Sequence, residues 1–497
     1  MGRQISHRVT YLILAIALTQ YSAGHAALLQ GRTLAQNNQT PRLSLQPCEI
    51  PGIEGGARCG VHHVLENRQA GSGRTIPLFV AVLPALDAPA APDPLFVIAG
   101  GPGQAATGQA RFADRAFSRV RRNRDIVLVD LAGTGRSSAL QCQMYPTARD
   151  LVGDFYPISQ VRACRDSLAQ RTDLRRYTTE ILMDDLDEVR AALGYDLINI
   201  YGTSYGTRAA LTYVRRHGKH VRSIVLKAVN PPTMRGVMSY ARDMERSLKL
   251  IFRACAADAA CAAAFPNLEA ESREILRRAG RGALRGLVPD PAGGPPVELP
   301  LSRGVVASTF LSLVQNSNSA VRLPLLAHTT YLGDTRPLVE AIIGYRRGLE
   351  AGISYGMHLS VMCSEDAPRM NPARAAVADR DTALGDYRVA QLAAACREWV
   401  KGDVPPDHAK PVRSDVPALL VSGKLDPNTN ERWGDEAARY LTRATHVVIP
   451  NLSHSFSSVS ECGADFIATF IAAASAQDVD FSCKDRVQLP PFVRVAQ

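Results

Sequence analysis

The residues best suited to chemistry are Ser204, inside Gly202-Thr203-Ser204-Tyr205-Gly206, together with Asp426 and His454. A serine hydroxyl is a weak nucleophile until a neighbouring base takes its proton. That base works only when a third group fixes its tautomer. The G-x-S-x-G spacing suits such a nucleophile. An apolar run (Leu197, Ile198, Ile200, Tyr201) precedes it and a helix-forming run (Thr207 to Val214) follows. This places the serine in a sharp strand-to-helix turn with its hydroxyl exposed, and the glycines let strand and helix approach closely. Asp426 follows the apolar strand Ala418 to Ser422, and His454 follows the strand His446 to Ile449. In a parallel sheet both would reach the same edge as Ser204. The rival base His446 begins a strand and points to the opposite edge; the rival acid Asp435 lies in the following helix.

Acyl transfer also needs donors for the oxyanion of the tetrahedral intermediate. One is the backbone N–H of Tyr205, the residue after the nucleophile. The other comes from the loop after the strand Leu95 to Ala99, where Gly100-Gly101-Pro102-Gly103 allows close backbone approach. Gly101 is the first choice and Gly100 the alternative, because Pro102 has no N–H. Such a donor is worth about 3–4 kcal/mol in the transition state. The chemistry requires no metal and no organic cofactor.

The elements around these residues predict the fold. Strands are expected at Thr75 to Leu83, Leu95 to Ala99, Asp125 to Leu131, 196–201, Ser223 to Val229, 418–422 and 446–449, alternating with helices such as 178–193. That alternation predicts a mostly parallel sheet covered by helices on both faces. The order Ser, Asp, His along such a sheet is the order of the α/β-hydrolase fold. Residues 27–75 read as loop-rich. From 233 to 405 the periodicity is mainly helical, with expected helices over Met238 to Ala263, Leu268 to Arg278, Val305 to Val314 and Ala373 to Val400, and a Pro/Gly break at 289–300. The resulting organisation is a signal segment (1–26), a first part of the core (27–232), a large helical cap (233–405) and a C-terminal part of the core (406–497).

The chain has 497 residues, 46% hydrophobic and 21% charged, which supports a large core and excludes wholesale disorder. Arg3 and Arg8, the apolar run Tyr11 to Leu18 and Gly24-His25-Ala26 form the three parts of an export signal. The apolar run falls short of the roughly 20 residues that span a bilayer. A secreted or periplasmic protein without stable membrane insertion after signal cleavage is therefore expected. Ten cysteines fit an oxidising compartment. Pairing in chain order is expected: 48–59, 142–164, 255–261, 363–396 and 462–483. Loss of Arg3 and Arg8 lowers the net charge from +10 to +8. The remaining charge is dispersed and lacks interleaved aromatics or a nucleic-acid motif, so no nucleic-acid partner is expected.

Taken together, GGPG after a buried strand, Asp130-Leu131-Ala132-Gly133-Thr134-Gly135-Arg136-Ser137 after the next, G-x-S-Y-G and the late Asp and His resemble the prolyl-aminopeptidase and tripeptidyl-aminopeptidase family of α/β-hydrolase serine peptidases. The resemblance covers about residues 90–475 and extends to a TAP-like C-terminal segment. It departs from many prolyl aminopeptidases at Ala99, where they have His, and at Ala132, where they have Arg. It implies an exported serine aminopeptidase releasing N-terminal residues or short peptides, with Ser204, Asp426 and His454 as its triad. It also implies a peptide substrate with a free N-terminus, whose ammonium is held by acidic groups. Cys363-Ser364-Glu365-Asp366 is the candidate, Glu365 first and Asp366 second. The alternative is a carboxylic-ester hydrolase, an esterase or lipase, on the same fold.

Overall fold

The computed structural model describes residues 42–53, 56–455 and 461–495, with backbone only at 461 and 462. The signal segment at 1–26 and the pairing of Cys462 with Cys483 lie outside the described residues.

Nine strands form one sheet. They are β1 (Gln46–Cys48), β2 (Ala57–Leu65), β3 (Thr75–Leu83), β4 (Leu95–Ile98), β5 (Ile126–Val129), β6 (Ile198–Thr203), β7 (Val221–Lys227), β10 (Ala418–Gly423) and β11 (Ala444–Ile449). The sheet order is β1-β2-β3-β5-β4-β6-β7-β10-β11. The first three strands run antiparallel to their neighbours, and β5 through β11 are parallel. This is the α/β-hydrolase fold. Both faces are dry because successive residues of the central strands feed opposite cores. In β5, Val127 and Val129 join one cluster while Ile126 and Leu128 join the other. Leu420 of β10 likewise faces away from Leu419 and Val421. The helices Thr179–Leu193 and Tyr205–His217 supply much of the first cluster, and Glu461–Ala473 much of the second.

Between β7 and β10 the chain is largely helical, and it divides into two parts. Residues 240–342, including the helices Tyr240–Ala257 and Arg303–Val314, share a core of their own with Met244, Ile251, Phe310 and Ile342. Residues 353–399 instead pack into the main core through Tyr355, Leu359, Leu392 and Trp399. The Pro/Gly break around 289–300 is a turn within a hairpin, β8 (Arg285–Val288) and β9 (Val297–Pro300). Arg285 pairs there with Glu298 across the strands, and Val288 and Leu299 are buried. Two expected helices are each interrupted. Asp258 ends Tyr240–Ala257 and caps Ala259–Ala264, and residues 379–386 separate Pro372–Ala378 from Tyr387–Glu398. The loop-rich reading of 27–75 is corrected at β1 and β2, which extend the sheet by antiparallel pairing.

Among the described residues, four disulfides join 48–59, 142–164, 255–261 and 363–396, pairs expected from chain order. Among the described residues no helix is long and apolar enough to cross a membrane.

Candidate active site

Parallel strands carry their C-terminal ends to one sheet edge, and the site is assembled there. Gly100 and Gly101 follow β4, Ser204 follows β6, Lys227 ends β7, Asp426 follows β10 and His454 follows β11. Ser204 has φ 55° and ψ −123°, a conformation costly for a residue with a side chain and characteristic of a serine held in a sharp turn. The flanking glycines make this turn possible. A Cβ on Gly206 would lie 2.3 Å from the Ile98 carbonyl oxygen, and one on Gly202 2.4 Å from that of Gly206.

Ser204 Oγ lies 3.1 Å from His454 Nε2. His454 Nδ1 lies 2.9 Å from Asp426 Oδ2 and 3.1 Å from Oδ1. A carboxylate only accepts, so Nδ1 carries the proton and Nε2 is left as the acceptor facing serine. Asp426 is fully buried. Its Oδ1 also accepts the N–H groups of Asn428 (2.8 Å) and Thr429 (2.9 Å), and its Oδ2 the Thr429 hydroxyl (2.8 Å). Burial pushes its pKa up, but the interaction with His454, the Thr429 N–H and the nearby Lys227 hold it well below the usual carboxylate range. The structure thus brings Ser204, His454 and Asp426 into one hydrogen-bonded chain. The rivals His446 and Asp435 bond to each other at 2.9 Å and to nothing of this chain; His446 also contacts the buried Ser422.

Tyr205 is the first residue of its helix, where a backbone N–H has no intrahelical acceptor. Gly101 lines the cavity next to Ser204 and has φ 107°, which glycine adopts without strain. Gly100 packs against the nucleophile, since a Cβ there would meet Ser204 Cβ at 3.2 Å. The following carbonyl, of Pro102, lies 3.1 Å from Nδ1 of the half-buried His358, whose Nε2 lies 2.8 Å from the Tyr156 hydroxyl. A carbonyl cannot donate, so His358 donates from Nδ1 and accepts the tyrosine proton at Nε2. Burial pushes its pKa down to about 4, so this strut between cap and glycine loop stays neutral.

A cavity of about 510 Å³ opens at Ser204 and His454, beneath cap residues that include Tyr240, Tyr345 and Arg388. That size suits a small ligand. The two acidic candidates part company here. Asp366 reaches the cavity wall, but Glu365 is not among the lining residues. Both Glu365 oxygens are used internally, accepting from Thr179 N–H (2.7 Å) and Thr179 Oγ1 (2.9 Å). Asp366 accepts from Arg208 at 2.9 Å and from Arg369 at 3.1 Å. Burial, with the nearby Glu180 adding to it, raises the Glu365 pKa despite Arg208 and Thr179.

Sequence reasoning missed Lys227, His358 and Thr429. Lys227 had a visible signal, a charge inside the apolar run Ser223 to Val229. It is fully buried at the cavity, and its ammonium donates to the His454 carbonyl oxygen. Burial brings its pKa down to about 7, opposed by Asp426. An unfolded lysine keeps its proton to about pH 10.4. Between pH 7 and that value the unfolded chain therefore binds more protons at this site, and stability rises with pH. Compared with Lys227→Met, the wild-type protein is expected to gain about 2–3 kcal/mol of additional stability between pH 7 and 9. Urea unfolding at the two pH values measures the difference; parallel pH profiles would contradict it.

Comparison with known proteins places two family matches on the chain. Residues 93–258 match the alpha/beta hydrolase fold family, and residues 381–483 match the family described as TAP-like protein. The chain is 32% identical over 137 residues to "Probable proline iminopeptidase" of Streptomyces coelicolor, covering 27% of this chain and 32% of that protein. It is 27% identical over 138 residues to "Putative hydrolase YuaR" of Escherichia coli K12, covering 27% of this chain and 28% of that protein. Both matches thus span a third or less of the relatives' own lengths. A crystal structure of proline iminopeptidase from Mycobacterium smegmatis aligns with 83% of this chain and 98% of its own, at 15% identity and a TM-score of 0.42.

Proposed function

We propose, for a chain that belongs to the α/β hydrolases and carries the TAP-like C-terminal segment of their prolyl- and tripeptidyl-aminopeptidase group, that it is an exported serine exopeptidase. The observation that carries the reading is the chain Ser204–His454–Asp426, with contacts of 3.1 and 2.9 Å, whose serine and histidine line a capped cavity. His454 Nε2 takes the Ser204 proton as Oγ attacks the scissile carbonyl. Asp426 holds the imidazole in place and stabilises its charged form. The N–H groups of Tyr205 and Gly101 receive the oxyanion. His454 then protonates the leaving amine, and water releases the acyl group by the same steps in reverse roles.

The acyl group is that of a peptide with a free N-terminus. Glu365 and Asp366 face Arg208 in a buried cluster, with Glu180 near Glu365 and the half-buried Arg369 reaching Asp366. A substrate ammonium meets this acidic cluster at Asp366, the member on the cavity wall. The four disulfides support an oxidising destination outside the cytoplasm. The test is a panel of amino-free and amino-blocked mono-, di- and tripeptide amides beside short-chain esters. The expected result is that free-amine amides turn over and their blocked counterparts lose at least about 100-fold in kcat/KM. Cleavage of esters alone would replace the peptidase reading with an esterase.

A further inference from the structure

The cavity holds a second charged group with no counterpart in the mechanism. Arg388, on the helix Tyr387–Glu398, lines the cavity and is 8% exposed. Its guanidinium stacks on the Phe155 ring, 3.5 Å from the centroid. It hydrogen-bonds the Tyr345 hydroxyl, and the hydroxyls of Tyr156 and Tyr240 are its other polar neighbours. Among the described residues no carboxylate lies within 4.0 Å of it, and its Nε is buried without a hydrogen-bond partner. Behind it, Arg346 is also buried and also stacks on Phe155, at 4.8 Å. Among the described residues Arg346 bonds to neutral oxygens: the Tyr145 hydroxyl at 3.2 Å, the Gly153 carbonyl at 3.1 Å and the Tyr387 hydroxyl. The other charged wall residue from the cap, Asp366, is already matched by Arg208 and Arg369.

Two desolvated guanidinium groups without an acid are costly unless something anionic joins them. A guanidinium lying over an aromatic ring keeps edge N–H groups that a carboxylate accepts in pairs. We propose that Arg388 binds a carboxylate of the substrate, making this cavity selective for acidic acyl or leaving groups. One negative charge suffices, because Arg346 does not reach the cavity wall. The proposal rests on reading this cavity as the substrate site of a serine hydrolase. The carboxylate has two sources, an acidic side chain in the released N-terminal portion or the C-terminus of a short peptide.

Three pairs of substrates, differing only in carboxylate against carboxamide, test it. One pair varies Glu against Gln in the acyl portion of a free-amine nitroanilide. The second varies the C-terminus of a short peptide. The third sets 4-nitrophenyl hemiglutarate against the matching glutaramate ester. At least one pair is expected to favour the carboxylate by about tenfold or more in kcat/KM, and the pair that does so identifies the source. Arg388→Met is expected to bring that ratio to within about twofold of one, and Arg388→Lys to retain part of it. Ratios near one for all three pairs in the wild-type protein overturn the proposal whatever the variants do. So does a preference that persists in Arg388→Met. Cleavage of the ester pair alone, with the carboxylate preferred, overturns the peptidase reading and leaves Arg388 in its proposed role.

Discussion

Replacing Ser204 by Ala is expected to lower kcat by about a millionfold, the scale of nucleophile loss in serine hydrolases. The protein should still fold. The turn depends on Gly202 and Gly206, whose Cβ positions are blocked at 2.4 and 2.3 Å by backbone oxygens, and not on the Ser204 hydroxyl. Alanine at φ 55° carries the same backbone cost as serine. His454 keeps its bonds to Asp426 because they do not involve serine. Some acceleration over water survives, about 1,000- to 10,000-fold, from the oxyanion donors and the cavity alone. The measurements are turnover of the best amide substrate, labelling by a fluorophosphonate probe with mass mapping of the adduct, and circular dichroism for the fold. Wild-type protein labelled at Ser204 and a folded, unlabelled, inactive variant are expected. Substantial turnover in the variant would end the covalent mechanism.

The groups in this relay differ in how plainly the sequence shows them. Ser204, Asp426 and His454 are legible because each follows a strand with strong apolar periodicity, and a parallel sheet sends all such ends to one edge. The glycine loop after β4 is legible for the same reason. The cap is not. Its helices are amphipathic, and periodicity says which face is buried without saying against what. The sequence pattern therefore treats 233–405 as one insertion, whereas residues 353–399 pack into the main core. The same gap governs the acidic pair. Adjacent residues in Cys363-Ser364-Glu365-Asp366 look equivalent in sequence. The π-helical turn Met362–Asp366 separates them, sending Asp366 to the cavity and Glu365 to Thr179. Arg388 is hidden more deeply, since an arginine in an amphipathic helix reads as surface until Phe155, some 230 residues earlier, is found beneath it.

Replacing Asp426 by Asn is expected to lower kcat by about 10,000-fold while leaving KM within a few-fold. Asp426 accepts from three protein donors besides His454 and donates to none. Asparagine has one oxygen for them and an amide group that can only donate. If the oxygen stays with the Asn428 and Thr429 N–H groups, the amide faces His454 Nδ1 and makes it an acceptor. The proton then sits on Nε2, aimed at Ser204, and the imidazole cannot serve as base. Nitrogen chemical shifts of His454 distinguish the two tautomers directly. The stability effect has its own pH window. The Asp426 pKa is lowered in the folded protein, so its contribution is present above the unfolded carboxylate pKa of about 3.9 and is lost as pH falls through the lower folded value. The part of the wild-type advantage that comes from the Asp426 carboxyl itself should therefore be flat from pH 7 to 5 and shrink only below about pH 4, with the Lys227 shift superimposed near pH 7. Lys227 reports the same change from beneath, because Asp426 is the charge that opposes the lowering of its pKa. In the variant the Lys227 proton should leave at lower pH than in the wild-type protein. A kcat within tenfold of wild type, with the Nδ1–H tautomer retained, would remove Asp426 from the mechanism.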